Sequence, residues 1–427
     1  MRISTRLLLI YAAVAVLAPS MAQAESEIQS RRGGPGFIPG YNLKLGAITF
    51  DANYRLDATY DDNSNRASDS SGEREQGVSL TNYVGLNMNW PVTNFLTLDA
   101  GFTLGYEEYF AGDGTGGFLF DYRGTGLVST GDTFAAEMKI GDNALLSLID
   151  DLSISAGDVL ISDDADTEDL RILRNDLALQ YEVDLSELIS AQARIGHRIK
   201  RNLGASEFDV RDRNENYAAA GLDWRLNRDL SVGPYASYRS YEHVEDNGAV
   251  AANNDADEYE VGIEGTYQLT DYTALDMSVG YQNIEFDNDN NPGVGDDETS
   301  GLTASAGFVS QLSYYLYHSG YVKYLRRLGT SPFNNYSKDL RLSYNLNWII
   351  NDQWFTRFNF DWLHSEDSSD AFGETSDTYM PGVLLGYNVS EALSLHASYR
   401  RTINDSEDFE SQDYTRDLYT VGLNYNF

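Results

Sequence analysis

Cysteine is absent from the 427 residues, which excludes disulfides, thiolate metal sites and cysteine nucleophiles. Proline is scarce, at 8 residues, and no Pro-rich linker divides the chain after about residue 40, so it reads as one large unit. Positive charge is in short supply: 30 Lys and Arg face 66 Asp and Glu, a formal charge of -36 that argues against nucleic-acid binding. Long apolar runs are missing too, with one exception. Met1 to Arg6 supplies two arginines, residues 7–18 are apolar, and Ala22-Gln23-Ala24 is a small-residue cleavage site. That is the pattern of a secretory signal peptide over 1–24, too short for a spanning helix. Its removal would take away Arg2 and Arg6 and leave the remainder more acidic still. Residues 25–40, with Arg31-Arg32-Gly33-Gly34-Pro35-Gly36, read as a flexible periplasmic lead-in.

Tyrosine, by contrast, is abundant, at 30 residues, which suits strands and interfacial aromatic belts. From residue 41 to the end the chain alternates apolar and polar residues at period two and shows no convincing amphipathic helix. Leu96, Leu98, Ala100, Phe102, Leu104 and Tyr106 alternate with Thr97, Asp99, Gly101, Thr103, Gly105 and Glu107. Leu275, Met277, Val279 and Tyr281 alternate with Asp276, Ser278, Gly280 and Gln282, and Leu393, Leu395, Ala397 and Tyr399 with Ser394, His396, Ser398 and Arg400. The connections take turns between short ones, as at 184–187, 227–228 and 350–352, and longer acidic ones, as at 63–75, 246–256, 287–298 and 404–412. Nine long loops imply nine hairpins and about eighteen strands, with sixteen left open by the ambiguous stretch 116–151. Every main-chain polar group must be paired inside the protein where lipid surrounds it, so strands of this kind close into a barrel. The fold expected over 41–427 is therefore all-β: a transmembrane antiparallel up-and-down barrel with short periplasmic turns and long extracellular loops. At that strand number the interior is too wide for side chains to fill. Trp90, Trp348, Trp354 and Trp362 are the candidates for interfacial girdles.

Two stretches resemble known proteins. The chain's last strand puts Tyr419, Val421, Leu423, Tyr425 and Phe427 on one face, and an aromatic face ending in a terminal Phe is similar to the C-terminal signature of Gram-negative outer-membrane barrels. That resemblance implies recognition by the barrel-insertion machinery. At 41–63 a Gly-then-apolar first strand, the strand end Tyr60-Asp61-Asp62-Asn63 and an acidic first loop resemble the "porin 2" family, as do Arg174-Asn175-Asp176-Leu177 and 217–224. Many members of that family lie beside exopolysaccharide-biosynthesis genes. The resemblance implies an outer-membrane location and a barrel, tilts the solute toward polysaccharide and exopolysaccharide-export components, and brings no catalytic residues.

Several constellations bear on function. Arg194, Arg198 and Lys200 share one face of a strand, and Arg225 and Arg239 alternate with apolar residues on neighbouring strands. Facing a lumen, they would make a basic wall across from Asp99, Glu107, Glu260 and Glu264, or else ordinary salt bridges between adjacent strands. Asp287, Asp289, Asn291 and Glu298 match positions one, three, five and twelve of an EF-hand loop, yet Pro292 replaces its Gly. Ca²⁺ in the acidic loops, bridging to lipopolysaccharide phosphates, is the one metal reading, and the chain calls for no other cofactor. The loop 111–126, with Phe118-Leu119-Phe120, is the candidate to fold inward and narrow the pore. His243 and His364 lie near loop ends, but no histidine sits in a catalytic spacing. The expected role is a non-enzymatic, porin-like pore for hydrophilic solutes. A structural or adhesive barrel with a plugged lumen and a barrel-rim hydrolase remain as the alternatives.

Overall fold

The computed structural model describes residues 43–64, 74–111, 117–121, 134–156, 171–202, 212–244, 255–287, 297–329, 335–368, 374–407 and 413–427. The first strands are β1 (Leu43–Leu45), β2 (Ile48–Asp61), β3 (Gly77–Pro91), β4 (Leu96–Ala111), β5 (Gly117–Asp121), β6 (Phe134–Ile140) and β7 (Ala144–Ala156). Then come β8 (Arg171–Asp184), β9 (Ile189–Asn202), β10 (Arg213–Arg225), β11 (Leu230–His243), β12 (Asp255–Thr270), β13 (Thr273–Asp287) and β14 (Glu298–Ser313). β15 (Leu316–Leu328), β16 (Tyr336–Ile349), β17 (Trp354–Asp367), β18 (Thr375–Asn388), β19 (Leu393–Ser406) and β20 (Tyr414–Asn426) complete the sheet. Neighbours pair antiparallel throughout, and β20 pairs back onto β2 from Asn53↔Asn426 to Asp61↔Leu418, so the sheet closes.

These strands make eighteen staves. β5 and β6 share one, because both lie between β4 and β7: Asp121 pairs with Thr103 and Ser153, and Phe134 with Ala100 and Asp150. Phe118-Leu119-Phe120 therefore belong to the wall, which corrects their reading as an in-folded loop. Their backbone opposes Tyr106, Gly105 and Leu104, and pairing of that kind holds a segment in the sheet. The rest of that loop, and residues 1–40, fall outside the described residues. β1 supplies no stave of its own; it covers the edge of β2 below the end of β20.

One rim carries the short connections, and local chemistry explains them. Thr93, Ser186, Asn227, Thr270, Ser313, Asn351 and Ser390 each accept, through a side-chain oxygen, a backbone N–H two residues on. Such Asx and Ser/Thr turns close a strand pair in few residues. Gly46 adopts φ +64° at the first position of the two-residue β1–β2 turn, where a type II′ geometry demands it.

The two faces of the wall separate by chemistry. On β12 and β13 the outward Val261, Ile263 and Val279 are 56%, 55% and 53% exposed, whereas the inward Glu258, Asp276 and Gln282 are 4%, 7% and 3%. An apolar belt open to its surroundings on nearly every stave is what hydrocarbon, and not water, stabilises. Trp90, Trp348 and Trp354, joined by Trp224, stand exposed near the short-turn rim. Trp362 lies toward the other rim, stacked on Tyr379 with ring centroids 6.5 Å apart. From Trp354 to Trp362 along β17 is about 27 Å at the usual rise per residue, which suits a membrane's apolar band once strand tilt is allowed for.

Candidate functional site: the inner wall

Inward positions on β8 to β12 bring charged side chains from adjacent staves into one network. Asp176 on β8 accepts from Arg198 at 2.8 Å and from the Tyr217 hydroxyl at 2.6 Å, with Arg194 at 3.8 Å. Arg198 also donates to Glu215 at 3.0 Å, and Glu215 accepts from Arg213 at 2.7 Å. Two staves on, Glu258 accepts from the Tyr241 hydroxyl at 2.6 Å and lies 3.5 Å from Arg239. Glu260 accepts from Tyr235 and Thr303, each at 2.7 Å. The rows build this arrangement: Glu215 is opposite Arg198 on one side and Tyr241 on the other, and Tyr217 is opposite Gly196 and Arg239. Gly196 is needed there, since a Cβ on it would sit 2.3 Å from the Tyr217 ring. Guanidinium groups of Arg194 and Arg198 lie 5.8 and 5.6 Å from the centre of that ring, within cation–π range.

A second network lies on β15 to β17. Asp339, with no exposed surface, accepts from Arg327 at 2.7 Å, Arg341 at 2.7 Å and Ser365 at 2.9 Å. A third ties the closing staves together: Arg416 to Asp61 at 2.6 Å, Arg55 to Asp57 at 2.5 Å and His396 to Asp57 at 3.0 Å. Close ion pairs, several of them charge-assisted hydrogen bonds, fix side chains against the wall.

The basic wall foreseen from the sequence is present in part and arranged differently. Arg194, Arg198 and Arg239 face inward and pair with carboxylates on adjacent staves; Lys200 is inward and buried. Arg225 shares the inward register but stands exposed at the short-turn rim. The acidic partners do not stand across the lumen. Glu260 and Glu264 sit on β12, beside Arg239 on β11, and Asp99 and Glu107 on β4 are only four staves from β9. Asp99 accepts a hydrogen bond from the Asn89 amide, and Glu107 accepts one from Thr81 at 3.4 Å. The contacts present are lateral ion pairs between adjacent staves, the other reading given to these residues. Sequence reasoning gave the face of each residue but not the register between neighbouring staves, so it missed Asp176, Glu215 and Glu258 as partners. Arg357, between Thr356 and Phe358 on β17, also went unnoticed, as did Arg327 and Arg416, whose charged neighbours Arg326 and Asp417 hide the alternation.

Other candidates are placed as follows. Tyr419, Val421, Tyr425 and Phe427 stand exposed on the outer face of the closing stave, and Leu423 shares that face. Asp287 and Glu298 flank a connection whose Asp289 and Asn291 lie outside the described residues. Among the described residues no cluster of acidic or histidine side chains could hold a metal ion. His243 and His364 are far apart: His243, on β11, lies 3.6 Å from Asp255, and His364, on β17, lies 3.3 Å from Asp377. Asp255 begins β12 at the loop rim, and the His243 side chain holds its carboxyl below the ordinary carboxylate range.

No family model matches the chain, and no curated protein matches it. Among solved structures it is similar to OpdK of Pseudomonas aeruginosa, crystallised with vanillate: TM-score 0.48, 11% identity, 88% of this chain and 99% of that one. It is also similar to OccK2 (OpdF) of Pseudomonas aeruginosa in complex with glucuronate, at TM-score 0.49 and 10% identity over 88% and 98% of the two chains. Acinetobacter baumannii OccAB4 gives 0.46 and 13% over 88% and 98%. All three scores lie below 0.5, too low to match wall with wall.

Proposed function

We propose that this chain is a porin-like pore of a bacterial outer membrane through which hydrophilic solutes pass along a polar, charge-lined lumen. One observation carries the reading: a closed eighteen-stave wall whose outer face is exposed and apolar and whose inner face is charged and hydrogen-bonded. Such a wall is stable only with lipid outside and water inside. Passage then depends on lumen width and on the inward ion-pair networks, without covalent chemistry. Export by the leader at 1–24, insertion through the Phe427 face and contact of the acidic loops with lipopolysaccharide, with or without Ca²⁺, belong to the same reading. Polysaccharide as the solute, and a link to exopolysaccharide export, rest on the resemblance at 41–63 alone.

The test is single-channel conductance of the refolded protein in planar bilayers, with swelling of protein-containing liposomes in sugar solutions. Discrete ohmic steps and swelling that falls with sugar size are expected. A barrel that inserts yet conducts nothing would replace this reading with the structural, plugged one.

A further inference from the structure

Near the loop rim the wall overlaps itself. The β14–β15 ladder runs from Ser313↔Leu316 to Ala304↔Tyr324 and stops there. Above that point β14 stays paired to β13 as far as Glu298, and β15 stays paired to β16 as far as Leu328. Continued in register, Leu302 would oppose Arg326 and Ser300 would oppose Leu328; neither pair forms.

Side chains close the gap instead. The Gln282 amide, reaching from β13, donates to the Arg326 carbonyl at 2.9 Å and accepts from the Arg326 N–H at 3.1 Å. It thereby takes the place of a backbone partner from β14. Arg326 lies over Gly301, where a Cβ would meet its guanidinium at 2.2 Å, and donates to the Leu302 carbonyl at 3.4 Å. Gly301 falls between Thr299 and Thr303, both buried on the inward face, so Arg326 is on the lumen side of β14.

Alternation along β15 puts Val322 and Tyr324 outward, and would put Leu328 outward as well. Instead Leu328 is buried together with Tyr336 from β16, Ile284 and Phe286 from the inward face of β13, Tyr241 and Ala256. Phe286 and Tyr336 stack, with centroids 6.2 Å apart and planes 16° apart. Three strand spacings, about 14 Å in a regular sheet, separate β13 from β16. The outward face of the β15–β16 hairpin end is therefore laid on the inward face of β13 and β14. The same hairpin end roofs the recess lined by Arg198, Arg239, Glu258 and Lys323.

We propose that the end of the β15–β16 hairpin, Leu325–Leu328 with Tyr336, is a hinged flap over the mouth of the pore. It is latched inward in this structure by Gln282 and the apolar cluster. Swung outward, it restores the missing rungs to β14, returns Leu328 to the lipid side and opens the charged recess. Two arrangements of one seam, one latched by Gln282 on the Arg326 main chain and one closed by the restored rungs, make the element bistable. The proposal rests on the pore reading for its consequence and on the seam alone for its geometry.

The native absence of cysteine makes the test clean. Phe286→Cys with Tyr336→Cys, bridged by a short bifunctional thiosulfonate, should hold the channel at its lower conductance level, and reductant should release it. Gln282→Ala with Leu328→Ser should lengthen the time spent at the higher level. A single steady level, indifferent to the bridge and to loss of the latch, would overturn the flap and leave the pore standing. Hydrogen exchange on the unmodified protein reads the seam without conductance. Amides of 299–303 and 325–328 that face the seam should exchange at least about tenfold faster than those of 304–309. Equal protection would overturn the overlap even in a barrel that conducts.

Discussion

Asp339→Asn is the sharpest perturbation of the inner wall. Asp339 is completely buried and is the carboxylate shared by two guanidinium groups, Arg327 and Arg341, each 2.7 Å away. The amide keeps the shape and can still accept from Ser365, now 2.9 Å from the carboxylate, but it removes the negative charge that the two buried guanidinium groups share. Removing one partner of a buried charge network costs about 3–5 kcal/mol, far above the ~1 kcal/mol of a surface pair. Urea unfolding in detergent, followed by tryptophan fluorescence, should show a loss in that range with an unchanged denaturant slope. Adding Arg341→Met should recover part of it, because fewer unpaired charges remain. The one extra positive charge should also move the reversal potential toward anion preference. A loss under about 1 kcal/mol, or no recovery in the double variant, would mean that water screens this network and that the wall there is not closed.

Three further outcomes follow from the same wall. Arg198→Gln removes the cation shared by Asp176 and Glu215 and should shift ion selectivity toward cations; an unchanged reversal potential would place the network outside the conduction path. Gly233→Ala should block assembly or destabilise by more than about 3 kcal/mol, since its Cβ would lie 1.4 Å from the Leu222 carbonyl oxygen, where only backbone could move. Gly265→Ala, whose Cβ meets a backbone oxygen at 3.0 Å, should cost distinctly less in the same unfolding assay. Deleting Phe427 removes the N–H that bonds the Ala52 carbonyl at 2.9 Å on the closing stave. The yield of folded barrel in heat-modifiability gels should fall, and an undiminished yield would remove this residue from closure.

Most of the barrel was legible because one rule governs it. Strands that pair every main-chain group in lipid must alternate, so the eighteen staves could be counted from segments such as 96–107 and 393–400. The rule weakens where segments are short. β5 has five residues and β6 seven, too few to show a period, and Phe118-Leu119-Phe120 read equally well as loop. The turn at 314–315 was hidden because Tyr314 and Tyr315 continue an apolar run. Parity also assigns a face without fixing the register between one stave and the next. Arg198 was therefore recognised as inward while its partners Asp176 and Glu215, 22 and 17 residues away, were not. The overlap at β14 and β15 contradicts parity outright at Leu328, because tertiary packing there outweighs the local pattern.

The two-faced wall itself can be measured directly. Single cysteines placed one at a time along 258–264 of β12 would be the only thiols in the chain. Among the inward positions, 260 and 264 should react with a charged, water-soluble thiol reagent, while fluorophores at 259, 261 and 263 should be quenched by lipids carrying a quencher in their acyl chains. Strict alternation between the two readouts is the predicted result. Both faces open to the aqueous reagent, or both reached by the lipid quencher, would contradict a barrel with water inside and hydrocarbon outside.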